Sequence, residues 1–252
     1  MKKVLFLFVL VFATTFIFAQ DELPIVVPDR PGYCWGAEVT PQHKVIWDHG
    51  FSYESAPERE HTLTLSSSVL RYGLFENLEF RVGTDFMMYN DGDAMEPTFG
   101  FIPLTIGTKL KLCEGSGILP SIGLLAELQS PHIGSKELLP SHLAPSMYLI
   151  FENDVTDWLG IYYNVGEEWD GESATPTTFL GLSFYFSIQD NWGAFVETYN
   201  YLHPEEENQY MSEFGLFWQV SRRVQLDMEA DFDLKNFGNY YSVGCGVSWM
   251  IN

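Results

Sequence analysis

From Val224 to Leu234 the chain alternates without a break: Val224, Leu226, Met228, Ala230, Phe232 and Leu234 are apolar, and Gln225, Asp227, Glu229, Asp231 and Asp233 are polar. A helix would scatter the four acids around its circumference, whereas a strand puts them all on one face. A segment with this period needs two surfaces of opposite polarity. The same period recurs in Leu78–Met88, where Leu78, Phe80, Val82, Phe86 and Met88 oppose Glu79, Arg81, Gly83, Asp85 and Met87, and again in Ile102–Leu112.

Extended along the chain, the pattern predicts an all-β fold of twelve strands near residues 44–54, 61–72, 78–89, 99–112, 118–128, 143–153, 158–166, 177–188, 192–201, 210–220, 224–234 and 240–251. The block at 143–153 alternates least. The connections fall into two classes by turn, short at 73–77, 113–117, 154–157, 189–191 and 221–223, and longer and acidic at 55–60, 90–98, 129–142, 167–176, 202–209 and 235–239. This alternation is expected of a transmembrane antiparallel up-and-down β-barrel with short periplasmic turns and longer extracellular loops. Aromatic residues sort in the same way: Trp47, Trp158, Trp192, Trp218 and Trp249 fall toward the periplasmic ends, and Tyr53, Tyr89, Tyr201, Tyr210, Tyr240 and Tyr241 toward the outer ends, predicting two interfacial girdles. The competing arrangement is a soluble secreted barrel with the acids outside.

The first 19 residues carry Lys2 and Lys3, an apolar run from Val4 to Phe12 and a small residue at Ala19. They read as a cleaved secretory signal peptide, which implies export to the outer membrane of a Gram-negative bacterium. Residues 20–43 hold Pro24, Pro28, Pro31 and Pro41 and read as an extended periplasmic arm ahead of a barrel at 44–252. After residue 19 no apolar run reaches the roughly 18–20 residues a membrane helix needs, so a helical bundle is excluded.

The formal charge of −21 excludes phosphate-neutralising nucleic-acid binding. Cys34, Cys113 and Cys245 are odd in number and widely spaced, so neither a disulfide framework nor a zinc site is expected. No metal site and no cofactor is expected, and the acidic loops, with Asp91, Asp93 and Glu96 and with Glu205, Glu206 and Glu207, read as a solvated surface facing lipid and lipopolysaccharide.

On the face opposite the apolar residues lie Asp48, Glu54, Glu79, Asp85, Glu127, Glu197, Glu213, Asp227, Glu229, Asp231 and Asp233, with Arg81, Lys109 and Lys111 as the clearest cations. In a closed barrel these residues line the lumen, and their acid excess favours cations or neutral solutes. A barrel-embedded hydrolase would need a serine and a histidine meeting on the outer wall. Ser66, Ser67 and Ser68 have no histidine close by on their own strand, so no catalytic residue is expected.

Pro28-Asp29-Arg30-Pro31-Gly32 and the later stretch Val69-Leu70-Arg71-Tyr72-Gly73-Leu74-Phe75-Glu76 resemble the outer-membrane transporter family named for the meta-pathway of phenol degradation. The resemblance extends through Tyr163-Asn164-Val165-Gly166 and Gln225-Leu226-Asp227. It implies a barrel that passes small solutes, hydrophobic or aromatic ones among them, by passive diffusion. Beside it, Gly73 reads as a turn residue and Arg71 as a partner for Glu76 or a lipid phosphate, while Asp29 and Arg30 are expected to tuck into the periplasmic mouth as a plug. The alternative is a non-transporting barrel with a blocked lumen.

Overall fold

The computed structural model describes residues 24–57, 60–90, 96–189, 191–204, 206–235 and 240–251. The expected signal peptide at 1–19, and Asp91, Asp93 and Glu205 of the acidic loops, lie outside the described residues.

The strands are β1 (Val45–Ser55), β2 (His61–Phe75), β3 (Leu78–Asn90), β4 (Thr98–Phe101), β5 (Thr105–Cys113), β6 (Ser121–Gln129), β7 (Ala144–Thr156), β8 (Leu159–Glu168), β9 (Thr177–Gln189), β10 (Trp192–Leu202), β11 (Gln209–Ser221), β12 (Val224–Asp233) and β13 (Tyr241–Met250). Consecutive strands pair antiparallel, except that β4 and β5 both pair with β3, and β1 closes the ring by pairing with β13, Ile46 opposite Met250 through Ser55 opposite Tyr241. Closure leaves no free sheet edge.

Thirteen segments make twelve spans, because β4 and β5 are one span interrupted at Pro103. Proline has no donor for the ladder. The loop after β6 folds onto the gap: Leu104 N–H donates to Ile133 O at 2.8 Å, and Ser130 and Ser135 N–H to Leu104 O and Phe101 O at 2.9 and 2.8 Å. The expectation of an unbroken strand over 99–112 is corrected here, and Ile102, read as outward, lines the interior.

The period-2 pattern resolves into an outside and an inside. Outward along β11 stand Phe214, Leu216 and Trp218, and along β12 Leu226 and Met228, all exposed, while Met211, Glu213, Gln225, Asp227 and Asp231 are buried. Exposed leucine, phenylalanine and valine on nearly every strand make a belt far larger than a soluble surface carries. The arrangement with acids outside is therefore overturned. Trp47, Trp158, Trp192, Trp218 and Trp249 stand outward near the short-turn end, Trp192 stacked on Trp218 at 5.4 Å.

The tyrosines depart from the expected girdle. Tyr53, Tyr210 and Tyr241 are in phase with the outward residues, but Tyr89 lines the interior cavity and Tyr201 and Tyr240 pack against the inner apolar cluster. The phase within a strand, and not its end, decides which side a tyrosine takes. The core itself sits inside the barrel, where Leu125, Tyr148, Ile150, Phe179, Tyr199 and Met211 meet Ala37 and Trp35 of the arm.

Phe214 lies midway between Tyr210 and Trp218 on β11, so Phe214→Arg places a cation at the centre of the belt. We expect it to cost about 2–4 kcal/mol of folding free energy in lipid vesicles, read by urea titration. Glu206→Arg in a loop should cost close to nothing in the same measurement.

Candidate lumen site and its N-terminal arm

Proline-rich and poor in regular structure, residues 24–44 cannot join the ladder, and they thread the lumen instead. At the short-turn end Val26 N–H donates to Arg222 O at 2.8 Å, and the Val26 side chain packs on Ile46 and Met250.

Deeper in, Asp29 turns to one wall. Its carboxylate accepts from Lys109 Nζ and Arg81 Nη1, both at 2.7 Å, and lies 3.5 Å from Arg71 Nη1. Burial alone would raise its pKa, but Arg71, Lys109 and Arg81 together outweigh it and hold the carboxyl well below its ordinary 3.8. Arg30, the next residue, turns the other way, past β1 and β13, where Nη2 lies 3.1 Å from both Asp227 and Glu229 of β12. Its guanidinium rests over Gly50, where a Cβ would come within 2.6 Å of it. The Arg30–Pro31 peptide is cis.

Beyond Pro31 the arm satisfies its backbone donors on wall side chains. Tyr33 N–H donates to Glu197 at 2.6 Å, Trp35 N–H to Asn164 at 2.8 Å, Ala37 N–H to Glu152 at 2.7 Å and Thr40 N–H to Glu79 at 2.7 Å. Cys34 is a free, buried thiol whose pKa is pushed up by burial and by Glu197, so it acts as a small wedge and not as a nucleophile. The arm leaves the lumen beside Gly73, where Gln42 pairs with it in parallel and a Cβ would collide with the carbonyls of Thr40 and Pro41. Gly73 thus permits a close crossing, where the sequence suggested a turn.

The structure distributes the expected lumen residues over three environments. Asp48, Glu79, Arg81, Lys109 and Glu127 form an ion-pair network around Asp29, with Arg71 Nε 2.6 Å from Asp48 and Arg81 Nε 2.9 Å from Glu127. Lys111 sits lower, 2.6 Å from Glu38 of the arm and paired with Glu114. Asp227, Glu229 and Glu197 hold the arm, and Glu213 is buried beside Glu197 on the neighbouring strand. Glu54, Asp85 and Asp231 line a cavity of about 660 Å³ above the Asp29–Arg30 layer. Asp233 ends β12 and accepts from Lys235 N–H at 2.7 Å.

Arg71 is corrected. Fully buried, it faces Asp29, Asp48 and Glu79 and also donates to Val27 O, not to Glu76 or lipid. Its phase was available, since Leu70, Tyr72 and Leu74 are the apolar set of β2 and Arg71 opposes them. Glu152 and Asn164 were also missed, Glu152 because β7 alternates poorly. On the outer wall, strand register brings His49 opposite Ser68, with Nδ1 and Oγ 2.8 Å apart. Serine 68 therefore has a histidine across the ladder, though no carboxylate orients the pair among the contacts the described residues make.

An outer-membrane channel from Pseudomonas putida superposes with a TM-score of 0.63 at 13% identity, covering 88% of this chain and 99% of that one. The fold is that of an outer-membrane β-barrel. The KdgM porin follows at a TM-score of 0.57 and 13% identity, covering 81% of this chain and 99% of its own, and the NanC porin at 0.52 and 12%, covering 81% and 98%. The chain matches no protein-family model and no curated protein, so the phenol-pathway family remains a resemblance. At such identities the likeness carries architecture and not solute.

Asp29→Ala removes the anion that three buried cations share and leaves Lys109 with no carboxylate partner among the described residues. We expect the arm to become cleavable by chymotrypsin at Tyr33 and Trp35 while the barrel stays folded, with the loss on the order of 3–5 kcal/mol for an uncompensated buried charge. Because the seated carboxyl titrates below its ordinary 3.8, its contribution is complete above that value and fades only as pH falls through the lowered one. The native arm should therefore resist chymotrypsin at neutral and mildly acidic pH alike, whereas Asp29→Asn should be cleaved throughout.

Proposed function

We propose that this protein is a passive outer-membrane channel for small solutes, held narrow by its own N-terminal arm acting as a plug from the periplasmic end. The observation that carries the reading is the Asp29–Arg30 pair, which ties the arm to β3 and β5 on one side and to β12 on another through ion pairs of 2.7 and 3.1 Å. A structural strut needs one anchor; a segment pinned across a lumen obstructs it.

Orientation follows from the loop classes, with the arm entering among the short turns and the cavity lying toward the long loops. The KdgM porin has been described in complex with oligogalacturonate, an acidic oligosaccharide. Transfer of that ligand class is disfavoured by repulsion, since Glu54, Asp85 and Asp231 line the cavity in excess of Arg30 and Arg81, which are paired with Glu229 and Glu127. Its wall also carries Ser52, Thr62, Thr64, Ser67 and Thr105, which favours hydrophilic over purely hydrophobic solutes. A second reading, a non-transporting barrel with a blocked lumen, is favoured by the aromatic cluster around Tyr148, Phe179 and Tyr199 that fills the other half.

Single-channel recording and liposome swelling separate the two. Deleting residues 20–43 should raise conductance and swelling severalfold over the full-length chain. Unchanged conductance with a folded barrel would remove the plug, and silence in both forms would favour the blocked barrel.

A further inference from the structure

The cross-strand register connects residues that the sequence scatters. Glu54 lies opposite Ser242, Ser242 opposite Asp231, Asp231 opposite Glu213, and Glu213 opposite Glu197. The same rung continues through Ser183 and Tyr162 to Glu152. Strands of a barrel tilt and stagger, so one hydrogen-bonded rung descends as it circles. It starts at the long-loop end of β1 and reaches the short-turn end of β7. Five carboxylates therefore form a spiral staircase down the inner wall.

The arm occupies only the lower steps. Glu197 and Glu152 accept backbone N–H groups of the arm, and they need no further ligand. At the upper steps, Glu54 and Asp231 line the 660 Å³ cavity with Ser242 between them. Among the described residues neither makes an ion pair, because Arg30 is committed to Asp227 and Glu229 one turn below. Asp231 is only 3% exposed, and its Oδ1 has no hydrogen-bond partner. A buried, unpartnered carboxylate oxygen costs free energy unless something donates to it.

We propose that the upper steps, Glu54 and Asp231, bind the ammonium group of a small hydroxylated organic cation as it enters the lumen. The assignment deepens the channel reading and rests on it for its meaning, though not for its chemistry. An ammonium offers three donors in a compact charge, matching two carboxylates with a hydroxyl between them. Tyr33 and Trp35 present aromatic rings on the arm side of the same cavity, and ring faces attract such cations once water is displaced. Ser52, Thr62 and Thr64 on the wall suit the hydroxyl end of the solute. A bare metal ion fits less well, since no group of three histidine, cysteine or acidic side chains comes together to hold one among the described residues.

The test uses the full-length chain refolded in detergent, with ethanolamine as probe and 1,2-ethanediol and glycolate as its neutral and anionic counterparts. Calorimetry should show ethanolamine binding and no heat with the other two. Each of Asp231→Asn and Glu54→Gln should weaken ethanolamine about tenfold, the value of one charge-assisted hydrogen bond, while Glu206→Gln in a loop should leave it unchanged. Both substitutions keep side-chain shape and remove buried or half-buried charge, so the barrel should fold, and Glu54→Gln at the rim serves alone if Asp231→Asn does not. Equal binding of the three probes, indifference to both substitutions, or displacement of ethanolamine by equimolar sodium would each overturn the site. Ethanolamine binding without any conductance in bilayers keeps the site and removes the channel; conductance without ethanolamine binding keeps the channel and removes the site.

Discussion

Two adjacent residues of opposite charge, Asp29 and Arg30, bind to separate stretches of one lumen wall, and the interior is arranged around them. The wall is charge-segregated. Arg71, Arg81, Lys109 and Lys111 lie on β2, β3 and β5, whereas the carboxylates that hold the arm or stand free lie mainly on β12, β11, β10 and β7. Successive residues of an extended chain point to opposite sides, so an Asp–Arg dipeptide presents an anion to the first group and a cation to the second with no turn between. Reversing the order would set like charges against each other at both stretches.

That anchor determines where the rest of the arm can go. Once Arg30 is fixed on β12, the following residues run past Glu197, Asn164, Glu152 and Glu79, and each wall side chain accepts an N–H that would otherwise be buried without a partner. Three of the prolines, at 28, 31 and 41, have no N–H to satisfy, which reduces the number of acceptors the lumen must supply. Between Tyr33 and Ala37 the arm follows the β6–β11 side, where Trp35 and Ala37 join the aromatic cluster, and the hydroxyl-lined space around β1–β5 above Asp29 and Arg30 stays open. An asymmetric lumen follows from the route of the arm.

Most of the barrel was legible in the sequence, because every span must alternate between lipid-like and polar surroundings and nothing else in a chain of this kind does so for ten residues at a time. Val224–Leu234 and Leu78–Met88 declare their faces outright. The readings that failed share a physical cause, which is that they depended on partners in other parts of the chain. Pro103 breaks a span that alternates well on either side, and a folded-over loop supplies the missing hydrogen bonds. Tyr89 and Tyr201 have the chemistry of an interface and the phase of the lumen, and phase wins because a strand cannot rotate one residue without flipping its neighbours. Glu76 is the acid nearest to Arg71 in sequence, yet two of the three carboxylates that Arg71 meets, Asp29 and Asp48, lie more than twenty residues away. Likewise, His49 and Ser68 meet only through the register of β1 against β2.

The acidic staircase was the least visible feature, since its members alternate correctly within their own strands but are joined only by stagger between strands. Its existence sharpens the balance that the lumen must hold. Carboxylates brought together inside a barrel repel one another; the arm donates N–H groups to two of the lower steps, Glu197 and Glu152, and a guanidinium to Asp227 and Glu229 beside the staircase. Extending the same cationic relief to the upper steps would require the arm to cross the cavity, closing the space a solute needs. Leaving Glu54 and Asp231 without a protein cation keeps that space open and reserves the attraction for something arriving from outside, so the geometry that seats the plug also determines which charge the remaining cavity can take.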